Sequence, residues 1–191
     1  MTEPPIDDLA LLREMRAGGE SAFGIFYERH QGQIFRFVLH MTGNEATAEE
    51  VTQEVFLLLI NRPKAYDPTK GSLLAYLFGA ARNLARRATG DGSGEVRLHV
   101  AEELDSAQVS DEGVLEILTT SEALDFLRKA LLGLPEAYRE VVVLCDLEEM
   151  SYEQAARVAE CSAGTVASRL HRAHNMLRTK LSRMAAKDCQ R

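Results

Sequence analysis

Thr165, Ser168, Arg169, His171 and Arg172 fall within the stretch "GTVASRLHRAH" and, at 100° per residue, gather on one side of a helix. Hydroxyls, an imidazole and two guanidinium groups share one chemistry. They hydrogen-bond to phosphate oxygens and to base edges, the guanine O6 and N7 acceptors above all. The opposite side of the same helix carries Val166, Leu170, Ala173, Leu177, Leu181 and Met184 at steps of three and four, a seam for burial. Small polar and basic residues at the start of such a helix suit the major groove of DNA.

The chain as a whole has the opposite charge. The 191 residues hold 22 Lys plus Arg against 29 Asp plus Glu, a formal net charge of -7. Non-specific affinity for nucleic acid comes from neutralised phosphates, so a protein of this balance does not coat DNA by charge alone. From Cys161 to Arg191, however, seven basic residues (Arg169, Arg172, Arg178, Lys180, Arg183, Lys187, Arg191) face one acid, Asp188. The positive charge is concentrated where the candidate DNA face lies.

Other chemistries find no support. No nucleophile lies beside a base and no glycine-rich phosphate loop appears, so a small helical enzyme lacks a candidate catalytic site. Cys145, Cys161 and Cys189 are far apart, without the spacing of a zinc site or a disulfide framework, and read as reduced thiols. No metal, cofactor or small-molecule substrate is expected. The start "MTEPPIDD" is acidic where a signal peptide is basic, and the longest apolar run, "VFLLLI", is too short to span a bilayer. A cytoplasmic protein with no membrane insertion is the expectation.

The elements that must position the basic face are all helices. Leu9, Leu12 and Met15 sit at helical spacing before Gly18 and Gly19 stop the first segment. Ser21 is read as the cap of a long helix ending at Gly43; Asn44 opens "EATAEEVTQEVFLLLIN", and Ser72 opens "SLLAYLFGAARNLARRA". At "GDGSGE" the composition changes to that of a linker, and from Asp91 to Glu116 eight acids face Arg97 alone. Helical pattern resumes near Ser121 and continues after Pro135. Ser151 with Gln154 forms a capping box, "CSAG" makes a tight turn, and the last helix runs from about Thr165. The fold class is all-α: an N-terminal helical bundle (residues 1–89), a flexible acidic linker (90–120) and a C-terminal four-helix domain with a helix-turn-helix (121–191).

Two further surfaces stand out. In the helix after Ser72, the spacing predicts that Leu73, Leu77, Ala80 and Leu84 are buried, leaving Ser72, Ala75, Gly79, Arg82, Asn83 and Arg86 on the far face. Such a face, small at one end and basic at the other, lets a phosphate backbone approach closely. In the preceding helix Val51, Val55 and Leu58 form a seam, while Glu50, Gln53, Glu54 and Leu57 point elsewhere and suit a basic, partly apolar partner.

The run "LPEAYREVVVLCDLEEMSYEQAARVAECSAGTVASRLHRAHNMLRTKL" resembles the C-terminal domain of bacterial RNA polymerase sigma factors of the extracytoplasmic-function group. "TAEEVTQEVFLLL" and "YDPTKGSLLAYLFGAARNLA" resemble the N-terminal domain of the same group. The resemblance covers residues 9 to 88 and 121 to 184 in order. It implies docking on the coiled coil of the polymerase largest subunit through Glu49, Glu50, Gln53, Glu54 and Phe56, with the polymerase flap as a second contact. It also implies that Tyr66, Lys70, Ser72, Tyr76, Arg82, Asn83 and Arg86 meet the start-proximal promoter element and the melted strand. Tyr66 and Tyr76 are then the stacking candidates, and Thr165, Ser168, Arg169, His171 and Arg172 contact the upstream element. The acidic linker resembles the segment that threads toward the polymerase active-site cleft, and an anti-sigma factor is an implied partner. This chain departs from many relatives at Ala167, which stands where Arg or Lys is frequent, and at His174, where Arg is frequent.

The function expected is therefore that of a promoter-specificity subunit, not an enzyme, acting with core RNA polymerase on promoter DNA. A free-standing helix-turn-helix regulator binding an operator as a dimer is the alternative from another class.

Overall fold

The computed structural model describes residues 7–62, 65–90 and 120–188, and among them every element is helical. Four helices precede residues 91–119: α1 (Asp8–Arg16), α2 (Glu20–Thr42), α3 (Glu45–Asn61) and α4 (Leu73–Ala88), with a 3-10 turn at Pro68–Lys70. Four follow: α5 (Thr120–Leu132), α6 (Glu136–Val142), α7 (Tyr152–Val158) and α8 (Ala163–Asp188). The acidic linker expected over residues 90–120 lies, apart from its two ends, outside the described residues.

Local chemistry sets most of the boundaries. Asn44 Oδ1 accepts from the Thr47 N–H at 3.0 Å to start α3, and Ser72 Oγ accepts from the Ala75 N–H at 3.2 Å to start α4. Ser151 and Gln154 form the reciprocal capping box at the start of α7. Gly43 ends α2 with φ +69, a left-handed turn that a Cβ disfavours. Two starts differ from the sequence reading. Helix α2 begins at Glu20 with Gly19 at its cap position, so Ser21 sits inside the first turn and caps nothing. Helix α8 begins at Ala163 rather than Thr165, because Ser162 Oγ accepts from the Thr165 N–H at 3.0 Å.

After Val142 the helix widens instead of ending. Val143–Leu147 form a π segment, and the Glu148 N–H donates to the Val143 carbonyl five residues back at 3.0 Å.

The core begins with aromatics. Phe26, Phe37, Phe56 and Phe78 are all buried; Phe37 meets Phe78 edge-on at 5.2 Å, and Tyr27 meets Phe56 at 4.8 Å between centroids. Each such side chain contributes roughly 1.5–3 kcal/mol by leaving water. Val141, Val142, Val143 and Leu144 with Val158, Val166, Leu170 and Ala173 continue the same buried cluster on the C-terminal side. The continuity comes from α4, which packs against α2 and α3 on one side and α7 on the other. Among the described residues, no helix is long and apolar enough to cross a membrane.

Candidate nucleic-acid interface

Helix α8 presents the face read from its spacing. Val166, Leu170, Ala173 and Leu177 are buried against α6 and α7, which turns Ser168, His171 and Arg172 outward, with Thr165 and Arg169 half-buried beside them. The hydroxyls at the helix start are already engaged: Ser162 Oγ lies 2.8 Å from Thr165 Oγ1, and Ser168 Oγ donates to the Thr165 carbonyl at 3.0 Å. These bonds fix the first turns while His171 and Arg172 extend from the third. His171 Nε2 lies 3.3 Å from the Asn175 amide nitrogen, and His174 Nε2 lies 2.6 Å from Asp146 Oδ2 of the π segment. That last pair ties the middle of α8 to the π segment that follows α6.

The second predicted surface is arranged differently from the sequence reading. Asn83 and Lys70 are exposed and Tyr76 is half-buried, but Arg82 is not on an open face. Its guanidinium is ion-paired with Glu140 of α6, lies 3.3 Å from Glu160, and donates to the Ala159 carbonyl at 3.3 Å. Only 6% of Arg82 and 1% of Glu140 remain exposed. Arg86 Nε meets Glu136 Oε1 at 2.6 Å, with Glu140 Oε2 4.0 Å from its Nη2. Ala75, also placed on the far face by its spacing, is buried. An amphipathic pattern implies one buried side, whereas α4 has two.

Tyr66 likewise faces inward: it is 5% exposed, its hydroxyl donates to the Gly71 carbonyl at 3.0 Å, and its ring meets Tyr76 at 5.8 Å. Burial raises the Tyr66 hydroxyl above the ordinary tyrosine range. In this arrangement it packs the loop rather than offering a stacking face. Asp67 holds that loop by accepting from the Thr69 N–H at 3.0 Å and hydroxyl at 2.7 Å, which keeps its carboxyl below the usual range. Ser72 spends its hydroxyl on the α4 cap. Between the loop and α4 runs an open groove of about 600 Å³, reached by Arg62, Lys70, Tyr76, Asn83, Arg87 and, from the other half, Arg157.

On α3, Glu49, Glu50, Gln53 and Glu54 are exposed, and Leu57 and Ile60 add apolar area beside them. Phe56, placed with this set by resemblance, is instead 2% exposed and packs among Tyr27, Phe26 and Phe23. Among the described residues, no three His, Cys, Asp or Glu side chains gather where they could hold a metal ion.

Comparison with known proteins finds the Sigma-70 region 2 family over residues 26–92 and the Sigma-70, region 4 family over residues 126–177. The ECF RNA polymerase sigma factor SigK of Mycobacterium ulcerans is 31% identical over 191 residues, covering 95% of this chain and 98% of its own. The chain belongs to the ECF sigma factors. The family's SigE of Mycolicibacterium smegmatis is 30% identical over 167 residues, 85% of this chain but 62% of that relative, so the chain spans less than two thirds of its length. The solved structure of the sigma factor RpoE with the anti-sigma factor NepR from Bartonella quintana shares the fold, with TM-score 0.62 and 23% identity over 84% of this chain and 96% of that one.

For this ECF sigma factor, the sequence reading missed Glu136, Glu140 and Glu160, the acids that meet Arg82 and Arg86. One signal was present. Glu140 sits at helical spacing with Ala137, Val141 and Leu144, a core position, and a charge there requires a buried partner. Its carboxyl is pushed up by burial, against the pull of Arg82 and Arg86. Arg86 gains from its glutamate partners in turn: burial lowers its pKa, but the hydrogen bond to Glu136 and the charges around it raise it overall.

Proposed function

We propose that this ECF sigma factor is a promoter-specificity subunit that binds core RNA polymerase, recognises promoter DNA and directs melting and initiation. The supporting observation is the ordered pairing of region 2 and region 4 matches with an exposed basic face at the start of α8. In this reading His171, Arg172, Ser168 and Thr165 contact the upstream element, with Arg169 on phosphate. Asn83, Lys70 and Tyr76 meet the start-proximal element, with Arg86 beside them, while Tyr66, Ser72 and Arg82 hold the loop, the cap and the packing of α4 that present them; Glu49, Glu50, Gln53 and Glu54 dock on the largest-subunit coiled coil, with the flap as second contact. The protein performs no bond chemistry of its own and works in the cytoplasm, where its polymerase is. An anti-sigma factor is the expected regulator; RpoE, which shares the fold, was solved in complex with the anti-sigma factor NepR.

The test is gel filtration with purified core polymerase, followed by footprinting with and without core. Comigration, with sequence-specific protection appearing only when core is present, is the expected result. Elution apart from core, together with strong specific protection by the free protein, would establish an autonomous regulator instead.

A further inference from the structure

Four cations surround the groove beside α4: Arg62 at the end of α3, Lys70 in the loop before α4, Arg87 in its last turn, and Arg157 on α7. All four are exposed, and among the described residues none of them closes a salt bridge. The two acids on the same walls are already engaged, Asp67 with Thr69 and Glu160 with Arg82. Unpaired guanidinium and ammonium groups around a concave wall favour an anion with several oxygens, and phosphate above all, because a guanidinium meets it through two parallel N–H bonds.

Helix α4 supplies the floor. Tyr76 is half-buried with its ring set edge-on to Tyr66, Gly79 has open space where a side chain would stand, and Asn83 is exposed one turn further on. A flat heteroaromatic base takes such a row: stacking on the ring, close approach over the bare backbone, and a donor and acceptor for its edge from the carboxamide. At 1.5 Å per residue Gly79 stands roughly 10 Å along α4 from its Ser72 cap, where Lys70 and Arg157 converge.

We propose that this groove is an effector site for a free nucleoside polyphosphate, its base against Tyr76, Gly79 and Asn83 and its phosphates on Lys70 and Arg157, with Arg62 and Arg87 flanking. Gly71 is what admits Arg157: the arginine Nε lies 3.2 Å and its Cδ 3.3 Å from where a Cβ would stand, and the backbone there has φ +147. The walls need no ligand to form. Ala81 and Ala85 of α4 belong to one buried cluster with Ala155 and Ala156 of α7, so the ordering cost of binding is low. The volume of about 600 Å³ lies within the range of about 300–1,000 Å³ that small-molecule sites occupy. A ligand bound by the folded chain stabilises it by mass action, which makes nucleotide concentration an input to this protein. The promoter reading of α4 shares Lys70, Tyr76 and Asn83 with this site but not Arg157, so the two stand or fall separately.

The experiment is isothermal titration calorimetry on the full chain, without polymerase or DNA, at fixed pH and salt, with three probes: adenosine triphosphate, inorganic tripolyphosphate and adenosine. Adenosine triphosphate is expected to bind one-to-one, with tripolyphosphate about tenfold weaker and adenosine weaker still. Arg157→Ala is expected to weaken adenosine triphosphate about tenfold through the loss of a charge-assisted hydrogen bond. Gly79→Leu fills the floor and is expected to abolish binding; because leucine favours a helix more than glycine does, a thermal melt at or above that of the wild type shows that the fold is kept. The control Arg178→Ala removes an exposed cation of α8 that does not line the groove and is expected to leave binding unchanged. Absence of saturable binding by adenosine triphosphate overturns the site. Tripolyphosphate binding as tightly as adenosine triphosphate reduces the groove to a basic patch and overturns the nucleotide. Full-strength binding by Arg157→Ala, or equal weakening in Arg178→Ala, puts the ligand elsewhere and overturns the proposal as well.

Discussion

Arg82 of α4 and Glu140 of α6 form an ion pair across the two halves of the protein, with 6% and 1% of their side chains exposed. Removing one partner of such a pair leaves an uncompensated buried charge, which costs about 3–5 kcal/mol, whereas replacing both by apolar residues of similar size is often neutral. Arg82→Met and Glu140→Leu are each expected to destabilise the folded protein by about that amount. The double variant is expected to recover most of it. Urea unfolding of the four proteins in a double-mutant cycle measures the coupling; strictly additive losses would show that the two residues act independently.

Glu148 carries a pH signature. Burial pushes its carboxyl from 4.5 up to about 7, partly opposed by Arg36, whose Nε lies 3.8 Å away. The unfolded chain releases this proton near the ordinary value, so the folded protein binds more protons across the interval and loses stability as pH rises through about 7. Glu140, also raised, acts in the same sense, while His40, lowered by burial beside Arg128 and Arg36, acts in the opposite one. The comparison is therefore between the wild type and Glu148→Gln. Between about pH 5 and about pH 8 the wild type is expected to lose on the order of 2 kcal/mol more than the variant, because each tenfold change in proton affinity corresponds to about 1.4 kcal/mol. Thermal melts at the two pH values check it; parallel losses would remove Glu148 from the account.

Helix α3 carries a packing face and a proposed docking face. Phe56→Ala, in the core, is expected to cost about 3–5 kcal/mol of stability. Reversing Glu50 and Glu54 to Lys, on the exposed side, is expected to shift stability by no more than about 0.5 kcal/mol per site while weakening binding to core polymerase. Circular dichroism melts and core affinity, measured on the same preparations, distinguish the two; unchanged core affinity would remove this face as the docking surface.

Helix α8 offers a specificity test. An arginine reading guanine is worth about 1–3 kcal/mol of discrimination. Arg172→Ala is expected to erase most discrimination among upstream elements in a holoenzyme binding library at fixed salt. Ala167→Arg is expected to tighten or redirect it without unfolding, because Ala167 lies half-buried at the flank of the seam. Equal weakening across the library would make Arg172 a phosphate clamp.

These outcomes follow how much of the molecule the sequence encodes locally. The caps at Asn44, Ser72 and Ser151 were legible because each bond closes within three residues, and the seam of α8 was legible because one face meets one neighbouring layer. Arg82 was misplaced because its burial depends on Glu140 of α6 and on Ala159 and Glu160, far later in the chain, and no periodicity within α4 reports a second neighbour. Phe56 was ambiguous for another reason. In "EVFLLLI" nearly every position is apolar, so spacing does not choose the buried ones. The widening after Val142 leaves no local mark either, since "VVVLCDL" fits a regular turn equally well.

That widened turn also bears on how chains of this kind change length. A π segment holds more residues per turn than an α-helix, and here it forms the last turn beyond α6 before the loop to α7. The wider repeat lets Asp146 turn toward His174 while Glu148, two positions on, turns toward Arg36. Deleting one residue between Val143 and Leu147 is expected to return this last turn to the ordinary repeat while α6 stays in place, at the expense of one of those two contacts. Insertions and deletions tolerated through evolution are therefore expected to fall inside this turn, where lineages can lengthen or shorten the helix without redrawing the fold.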